Sequence, residues 1–403
     1  MAVLNRVAEL QDEMKAWRHR LHSHPETAFE EFRTAELVAT SLSKWRIDVC
    51  RGIGGTGVVG ILRSGHSART LGLRADMDAL DLQERNDCAH RSMLPNKMHA
   101  CGHDGHTAML LGAARCLAER RNFDGTIYFI FQPAEENWGG GEAMVRDGLF
   151  DRFPMDRVFG LHNMPGLAVG RFAFRHGQMS AEAHKFVIDV TGVGTHSADP
   201  GSGVDPIQVA TDIIHAFRSV PEAIAPKGTV IPRVTEIHGG LTLNVVPESV
   251  RMRGTTRILH PEHREPVRQW MSEVVGRAAD AAGATAQIDF PRFYPIVINT
   301  KGALDLALAA ASDVMGEGMT EEMAEIDMSG EDFSFLAARC GEAAYLYVGN
   351  GTEGPQVHNP RYDFNDELLP IGASYWVRLA ELALPRDEAL VGSPLIPLTA
   401  ATA

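Results

Sequence analysis

Met98-His-Ala-Cys-Gly-His-Asp-Gly-His106 carries three histidines, a cysteine and an aspartate within nine residues. A helical run, Thr107-Ala-Met-Leu-Leu-Gly-Ala-Ala-Arg-Cys-Leu-Ala118, follows without a break. Neutral imidazole, thiolate and carboxylate are the groups that bind borderline transition metals. The stretch reads as the first half of a metal site at the head of a helix. The order of elements around it decides both the fold and whether the second half exists.

Upstream, Leu4, Val7, Leu10, Met14, Trp17 and Leu21 fall at helical spacing, and Pro25 ends that helix. Arg20-Leu-His-Ser-His-Pro-Glu26, with Glu30-Glu31 after it, is dense in polar groups and reads as a solvated helix end with capping side chains. A second helix is expected over 34–45. Gly57-Val-Val-Gly-Ile-Leu62 and Thr70-Leu-Gly-Leu-Arg-Ala75 are strand-like, and the second runs into Asp76-Met-Asp78. Open α/β sheets place ligands just past the carboxyl ends of their strands. Residues 80–97 show no clear period and read as a loop.

Downstream, Gly125-Thr-Ile-Tyr-Phe-Ile-Phe131 is a buried strand, β-branched and aromatic, that runs into Gln132-Pro-Ala-Glu-Glu136. Arg157-Val-Phe-Gly-Leu161 is another, ending on His162-Asn163. Strands alternate with helices, and polar chemistry gathers at strand ends, which is the α/β expectation. At about residue 183 the pattern changes to strand 185–190, helix 205–220, strands 229–238 and 248–259, helix 261–282 and strand 284–290. That β-α-β-β-α-β order is ferredoxin-like, and the segment has a normal domain size. The expectation is a discontinuous catalytic domain, 1–182 and 294–403, with a mostly parallel sheet flanked by helices, and an inserted α+β domain, 183–293. The catalytic pattern resumes with a helix over 303–316, a strand over 343–348, the polar loop Val357-His-Asn-Pro-Arg-Tyr-Asp-Phe-Asn-Asp366 and a closing helix. Residues 392–403 read as a weakly ordered end.

Bulk properties narrow the function classes. A 403-residue chain is too long for one ordinary core. A net charge of −14 gives no reason to expect nucleic acid or an anionic membrane as a partner. Five scattered cysteines, an odd number, do not form a disulfide framework and suit a reducing cytoplasm. The amphipathic start has no signal-peptide core, and no stretch is apolar for long enough to span a bilayer.

Each candidate ligand has an ordinary explanation alone. A lone cysteine is usually core packing. A lone histidine is more often structural than ligating. Two adjacent glutamates usually mark a solvated face. Together the residues recur at equivalent places in an α/β order. Cys101, His103, Glu136, His162 and His358 could hold two divalent metals if one group bridges them. A thiolate or a carboxylate bridges, whereas a neutral imidazole does not, so Cys101 is the natural bridge. Glu135 is then spare beside a ligand, where a hydrolase keeps a general base for water. Asp76, Asp78 and Asp104 either orient the ligand imidazoles or cap a turn or helix start. A non-catalytic, metal-stabilised binding protein is the competing class, but structural zinc sites are closed and lack a spare base. Cys101 as a covalent nucleophile is a third reading, weakened because a metal would claim the thiolate.

The stretches Arg20–Glu26, Arg74-Ala-Asp-Met-Asp-Ala-Leu80, Met98–Asp104, Phe131–Glu136, Gly160-Leu-His-Asn-Met-Pro165 and Val357-His-Asn-Pro360 together resemble the aminoacylase/carboxypeptidase G-type metallopeptidases. Within these, the chain looks most like the hippurate hydrolase and auxin-conjugate amidohydrolase branch. The resemblance implies a two-metal amidohydrolase that splits N-acyl amino acids into a carboxylic acid and a free amino acid. Cys101, His103, Glu136, His162 and His358 fall on the family's ligand positions and Glu135 on its general base. Zinc, manganese, cobalt or nickel suits such mixed ligands. The inserted domain resembles the family's lid, which commonly also forms a dimer. His196, in Gly-Val-Gly-Thr-His-Ser-Ala, falls on a lid histidine that reaches substrate in the partner subunit. Asn244 and Arg257 match positions that hold the substrate carboxylate or carbonyl. Without the resemblance they read as a turn-capping asparagine and a solvated strand arginine. The chain departs from the pattern at Asp81, where the family has proline, in the loop 83–97 with Cys88 and His90, and slightly at Met328–Phe333. These departures touch the acyl-side pocket and leave the metal set intact. A dipeptidase or carboxypeptidase would keep the same site and change only the bond cleaved.

Overall fold

Thr70–Asp76 pairs in parallel with Gly125–Gln132 on one side and Arg157–Pro165 on the other, in a computed structural model that describes residues 4–386. All but the first residue of Thr70–Asp76 are buried, as for a strand covered on both faces. Ala343–Gly351 adds in parallel beyond Arg157–Pro165. On the other flank Gly57–Ser64 and then Asp48–Ile53 pair antiparallel. With Phe172–Phe174 and Thr320–Glu322 these strands make one eight-stranded, mostly parallel sheet. Helices His103–Arg120 and Leu368–Ala383 pack together in its core and are buried on nearly every face. The register sets Asp76 opposite Gln132 and His162 opposite Tyr347. The segments Asp76–Asp78, Gln132–Glu136 and His162–Asn163 therefore emerge at one edge, the edge where open α/β sheets bind ligands.

Two local features differ from the periodicity. The first helix is split into Asn5–Ala8 and Gln11–Ser23, while Val7, Leu10 and Met14 stay buried through the break. The edge strand Asp48–Ile53 carries no pattern to read, because only Ile53 in it is fully buried. The expected weakly ordered end, 392–403, lies outside the described residues.

Contacts group residues 4–174, 300–322 and 339–386 in one compact unit, and 175–299 with 323–338 in a second. The second unit has a four-stranded antiparallel sheet in the order Val230–Gly239, Ser249–Ile258, Glu182–Thr191, Thr285–Tyr294. Glu182–Thr191 and Ser249–Ile258 alternate buried and less buried residues, as a one-sided sheet requires. Helices Pro206–Phe217 and Arg264–Ala282 cover the buried face through Val209, Ile213, Val267 and Met271, which meet Phe186, Ile188 and Met252. Asp205 caps the first helix through Ile207 N at 2.8 Å, with Pro206 in the first turn. The unit extends to 175–299 because Gly177–Gln178 pairs with Ile298–Asn299. Among the described residues, no helix is long and apolar enough to cross a membrane.

Candidate metal centre

The turn before His103–Arg120 requires a glycine. Gly102 has φ +103°, and a Cβ there would lie 2.1 Å from Asn163 Oδ1. This turn delivers Cys101 and His103 side by side. His103 Nδ1 lies 3.0 Å from the Asp78 carbonyl oxygen and 3.3 Å from Asp78 Oδ1. Both are acceptors, so Nδ1 carries the proton and Nε2 is the nitrogen available to a metal. His103 Nε2 is buried and has no hydrogen-bond partner among the described residues. His162 is oriented likewise: Nδ1 donates to the Asn163 carbonyl oxygen at 2.7 Å, and Nε2 lies 3.3 Å from Cys101 Sγ.

Glu135 and Glu136 open the four-residue helix Glu135–Trp138, beyond Pro133 and Ala134. Their backbone N–H groups donate to Asp78 Oδ1 and Oδ2 at 3.0 and 2.9 Å. Gly140 lets the loop close, since a Cβ there would meet the Pro133 carbonyl oxygen at 1.7 Å. His358 comes from the last loop, has φ +65° and donates its N–H to the Ala100 carbonyl oxygen at 2.7 Å. Its Nε2 is 3.0 Å from Glu136 Oε1.

The candidate ligand atoms form triads. Cys101, His103 and His162 make one, and Cys101, Glu136 and His358 a second, each with its atoms within 4.8 Å of one another. Cys101 is common to both. His103, Glu135 and Glu136 form a further group of the same size. The donor set and its electrostatics fit divalent cations. Burial, with Glu136, Glu135 and Asp76 close by, pushes the Cys101 thiol well above its usual range. Burial alone would lower His103, but Asp76, Asp78 and Glu136 outweigh it and raise the imidazole to about 10. Both shifts report a negative field that takes up protons where no metal is present. Burial and the neighbouring His106 bring His162 down to about 3, which leaves it neutral, the form that ligates.

Around these groups lies a buried polar layer. Arg74 donates to Asp76 Oδ2 at 2.7 Å, and Asp76 Oδ1 accepts from His106 Nδ1 at 2.6 Å. His106 Nε2 is 2.7 Å from Asn163 Oδ1, and Asn163 Nδ2 donates to the Tyr362 hydroxyl at 2.7 Å. Asp76 Oδ2 also stands 3.7 Å from His103 Nε2. The Asp78 carboxylate meets both the N–H groups that open Glu135–Trp138 and the His103 imidazole. Asp104 bonds in another direction, to Arg18 Nε at 2.9 Å and His22 Nδ1 at 2.8 Å.

The segment read as a solvated helix end is therefore buried in part. Arg18 and His22 are both 0% exposed, and His22 also reaches Glu84 at 3.3 Å. The capping reading holds for Glu26, which accepts from Arg33 N and Thr34 N at 3.0 and 2.8 Å. Arg18 and Tyr362 carry no chemical signature in sequence, and His22 and Asn163 stand out only as parts of polar stretches. The only available signal was the high polar density of Arg20–Glu26 and of Val357–Asp366. Cys88, His90 and Asp363 also approach one another. However, Arg18 donates to His90 Nε2 at 3.0 Å and pairs with Asp363, so a guanidinium already holds the place of a cation.

His196, Asn244 and Arg257 belong to the second unit. His196 sits on the short strand Thr195–His196, which pairs with Val245–Val246. Ser197 N donates to the Asn244 carbonyl oxygen at 3.1 Å, so His196 and Asn244 share one hairpin-like element. Arg257 lies on Ser249–Ile258, between Ala183 and Ile231.

Peptidase family M20/M25/M40 matches residues 72–382. A hippurate hydrolase from Campylobacter jejuni is 38% identical over 381 residues, covering 94% of this chain and 99% of that protein. IAA-amino acid hydrolase ILR1-like 4 from Arabidopsis thaliana is 36% identical over 378 residues, covering 92% and 85%. Among solved structures, the Bacillus subtilis YXEP protein, described as a dinuclear metal binding peptidase from the M20 family, superposes with a TM-score of 0.75 at 28% identity, covering 94% of this chain and 99% of that one. A match of this extent makes the chain a member of peptidase family M20/M25/M40.

Proposed function

We propose that this chain is a metal-dependent amidohydrolase acting on N-acyl amino acids, with Cys101, His103, Glu136, His162 and His358 as ligands to two divalent ions. The observation that carries the reading is the pair of triads sharing Cys101, with Glu135 beside them. The names of the hippurate and IAA-amino acid hydrolase relatives support the substrate class, an acyl group joined to an amino acid. Zinc suits the thiolate and imidazole donors best, with manganese, cobalt or nickel as alternatives.

Bound ions would polarise the scissile carbonyl and acidify the attacking water. The chain's own part is acid–base work and orientation. A Glu135 carboxylate oxygen takes the water proton as the new C–O bond forms. The same carboxyl then gives it to the nitrogen as the C–N bond breaks. The products are a carboxylic acid and a free amino acid. Asp78 holds the Glu135 backbone and the His103 tautomer throughout.

The same reading assigns the inserted segment 183–293 as a lid and dimerisation domain of a homodimer or larger assembly. His196, Asn244 and Arg257 would there bind the substrate carboxylate or carbonyl. It places the enzyme in the cytoplasm. The test is a panel of benzoylglycine, N-acetyl amino acids and dipeptides on metal-defined protein. Turnover of the acyl amino acids, lost on chelation and in Glu135→Gln, is expected. Full turnover in Glu135→Gln, or preference for dipeptides, would overturn the mechanism or the substrate class respectively.

A further inference from the structure

We propose that Glu31 is a positioning residue for Glu135, acting through the backbone of Ala134, an extension that rests on the reading of Glu135 as general base. Glu31 lies more than a hundred residues away in sequence, at the entry to helix Phe32–Lys44, and is 0% exposed. Its Oε1 accepts from Ala134 N at 2.9 Å and from Phe29 N at 3.1 Å, and its Oε2 accepts from the Thr56 hydroxyl. The chain stretch that carries it is tied to the site, since Ala79 N donates to the Glu26 carbonyl oxygen at 2.8 Å.

The need for such a group comes from Ala134. This residue has φ +52°, a left-handed conformation that is unfavourable for a non-glycine residue. The turn carries the chain from strand Gly125–Gln132 to Glu135. The N–H groups of Ala134, Glu135 and Glu136 all donate to buried carboxylates, the first to Glu31 and the other two to Asp78. The Ala134 carbonyl oxygen accepts from Gly140 N at 3.0 Å. Glu31 thus fixes the unfavourable residue immediately before Glu135, while Asp78 fixes the two that follow. Without Glu31, Ala134 loses its buried acceptor and the turn is free to relax towards φ below zero. The Glu135 carboxylate moves with it, and misplacement by about 1 Å can cost on the order of 100-fold in rate.

The experiment compares Glu31→Ala, Glu31→Gln and Glu135→Gln with the parent, as metal-loaded proteins on benzoylglycine. Glu31→Ala is expected to lower kcat by roughly 10- to 100-fold with KM within about threefold and two metal equivalents retained. Glu31→Gln keeps an oxygen for Ala134 N and Phe29 N, and the Thr56 hydroxyl can rotate to accept from its amide. It is expected to restore kcat to within about threefold of the parent, on the scale of one retained hydrogen bond. Hydrogen exchange in the peptide spanning 132–137 is expected to accelerate in Glu31→Ala, whatever the substrate. Should Glu31→Ala not fold, Glu31→Asp replaces it, keeping the charge but withdrawing the oxygens by one methylene, and must show the same fall in kcat. Parental kcat, parental exchange, or a Gln variant as slow as Ala would each overturn the proposal. A dead Glu135→Gln beside an unaffected Glu31→Ala removes this proposal alone. An active Glu135→Gln removes the underlying reading.

Discussion

Cys101 Sγ lies 3.3 Å from His162 Nε2, and the same residue closes a second triad with Glu136 and His358. If both triads hold ions as proposed, a sulfur common to the two would couple the ion sites. Cys101→Ala is therefore expected to weaken both ions together, by on the order of 100-fold or more in affinity, rather than to empty one site. Equilibrium dialysis with metal analysis measures this. Cobalt-loaded parent should show a thiolate-to-cobalt absorption in the near ultraviolet that the variant lacks. A variant that keeps one ion at parental affinity would show that Cys101 serves a single site.

Asp78 serves three donors with one carboxylate: His103 Nδ1 and the N–H groups of Glu135 and Glu136. Asn at this position has only one acceptor oxygen, so its NH2 faces at least one of these donors. Asp78→Asn is expected to lower both metal affinity and kcat by roughly 10- to 100-fold. Titration with zinc and steady-state kinetics at saturating metal separate the two effects. Parental values for both would mean that the backbone at 135–136 is held by other contacts.

The central strands of the sheet were legible because they are nearly continuous apolar runs, as in Gly125–Gln132, and because Thr70–Asp76, Gly125–Gln132 and Arg157–Pro165 carry or run into chemically distinctive groups, whereas the edge strand Asp48–Ile53 shows no pattern. The ferredoxin-like insertion was legible from its β-α-β-β-α-β order, and Glu182–Thr191 and Ser249–Ile258 alternate in burial as a one-sided sheet requires. Cys101, His103, Glu136, His162 and His358 could be collected because cysteine, histidine and paired glutamate stand out by type. The layer behind them could not. Arg18 and Asp104 meet across 86 positions, and Glu31 and Ala134 across 103. Arginine and glutamate are common surface residues, so nothing local distinguishes a buried one from a solvated one. For Asp104, proximity to His103 in sequence suggested a role on that imidazole, but the helix geometry turns its hydrogen bonds towards Arg18 and His22 instead.

Arg18 is fully buried, and Asp104 is the fully buried member of its ring of carboxylates, with Asp363 and Asp366 partly exposed. Asp104 also pulls His22, otherwise lowered by burial, up to about 9. Removing one partner of a buried pair leaves an uncompensated charge, at about 3–5 kcal/mol. Asp104→Ala is expected to destabilise the fold by roughly 3 kcal/mol, the lower end of that range, because Asp363 and Asp366 remain. A urea titration should show a lower midpoint at unchanged slope. A loss under about 1 kcal/mol would show that the two exposed carboxylates suffice for Arg18.

Glu31 makes stability depend on pH. Burial, reinforced by the nearby Asp78 charge, outweighs its hydrogen bonds and raises its carboxyl to about 7, from 4.5. With the folded value above the unfolded one, the folded chain holds one more proton across that window. Its stabilising contribution is complete below about pH 4.5 and is lost as pH rises through about 7, for a total of about 3 kcal/mol. His22, also raised in the folded state, acts in the same direction, with loss towards pH 9. It is present in both the parent and Glu31→Gln, so the difference between them isolates Glu31. Between pH 5 and pH 8 the parent should lose stability relative to Glu31→Gln, with most of the change complete near pH 7. Chemical denaturation of both chains at half-unit pH intervals measures the gap, and a gap independent of pH would mean that Glu31 is ionised throughout.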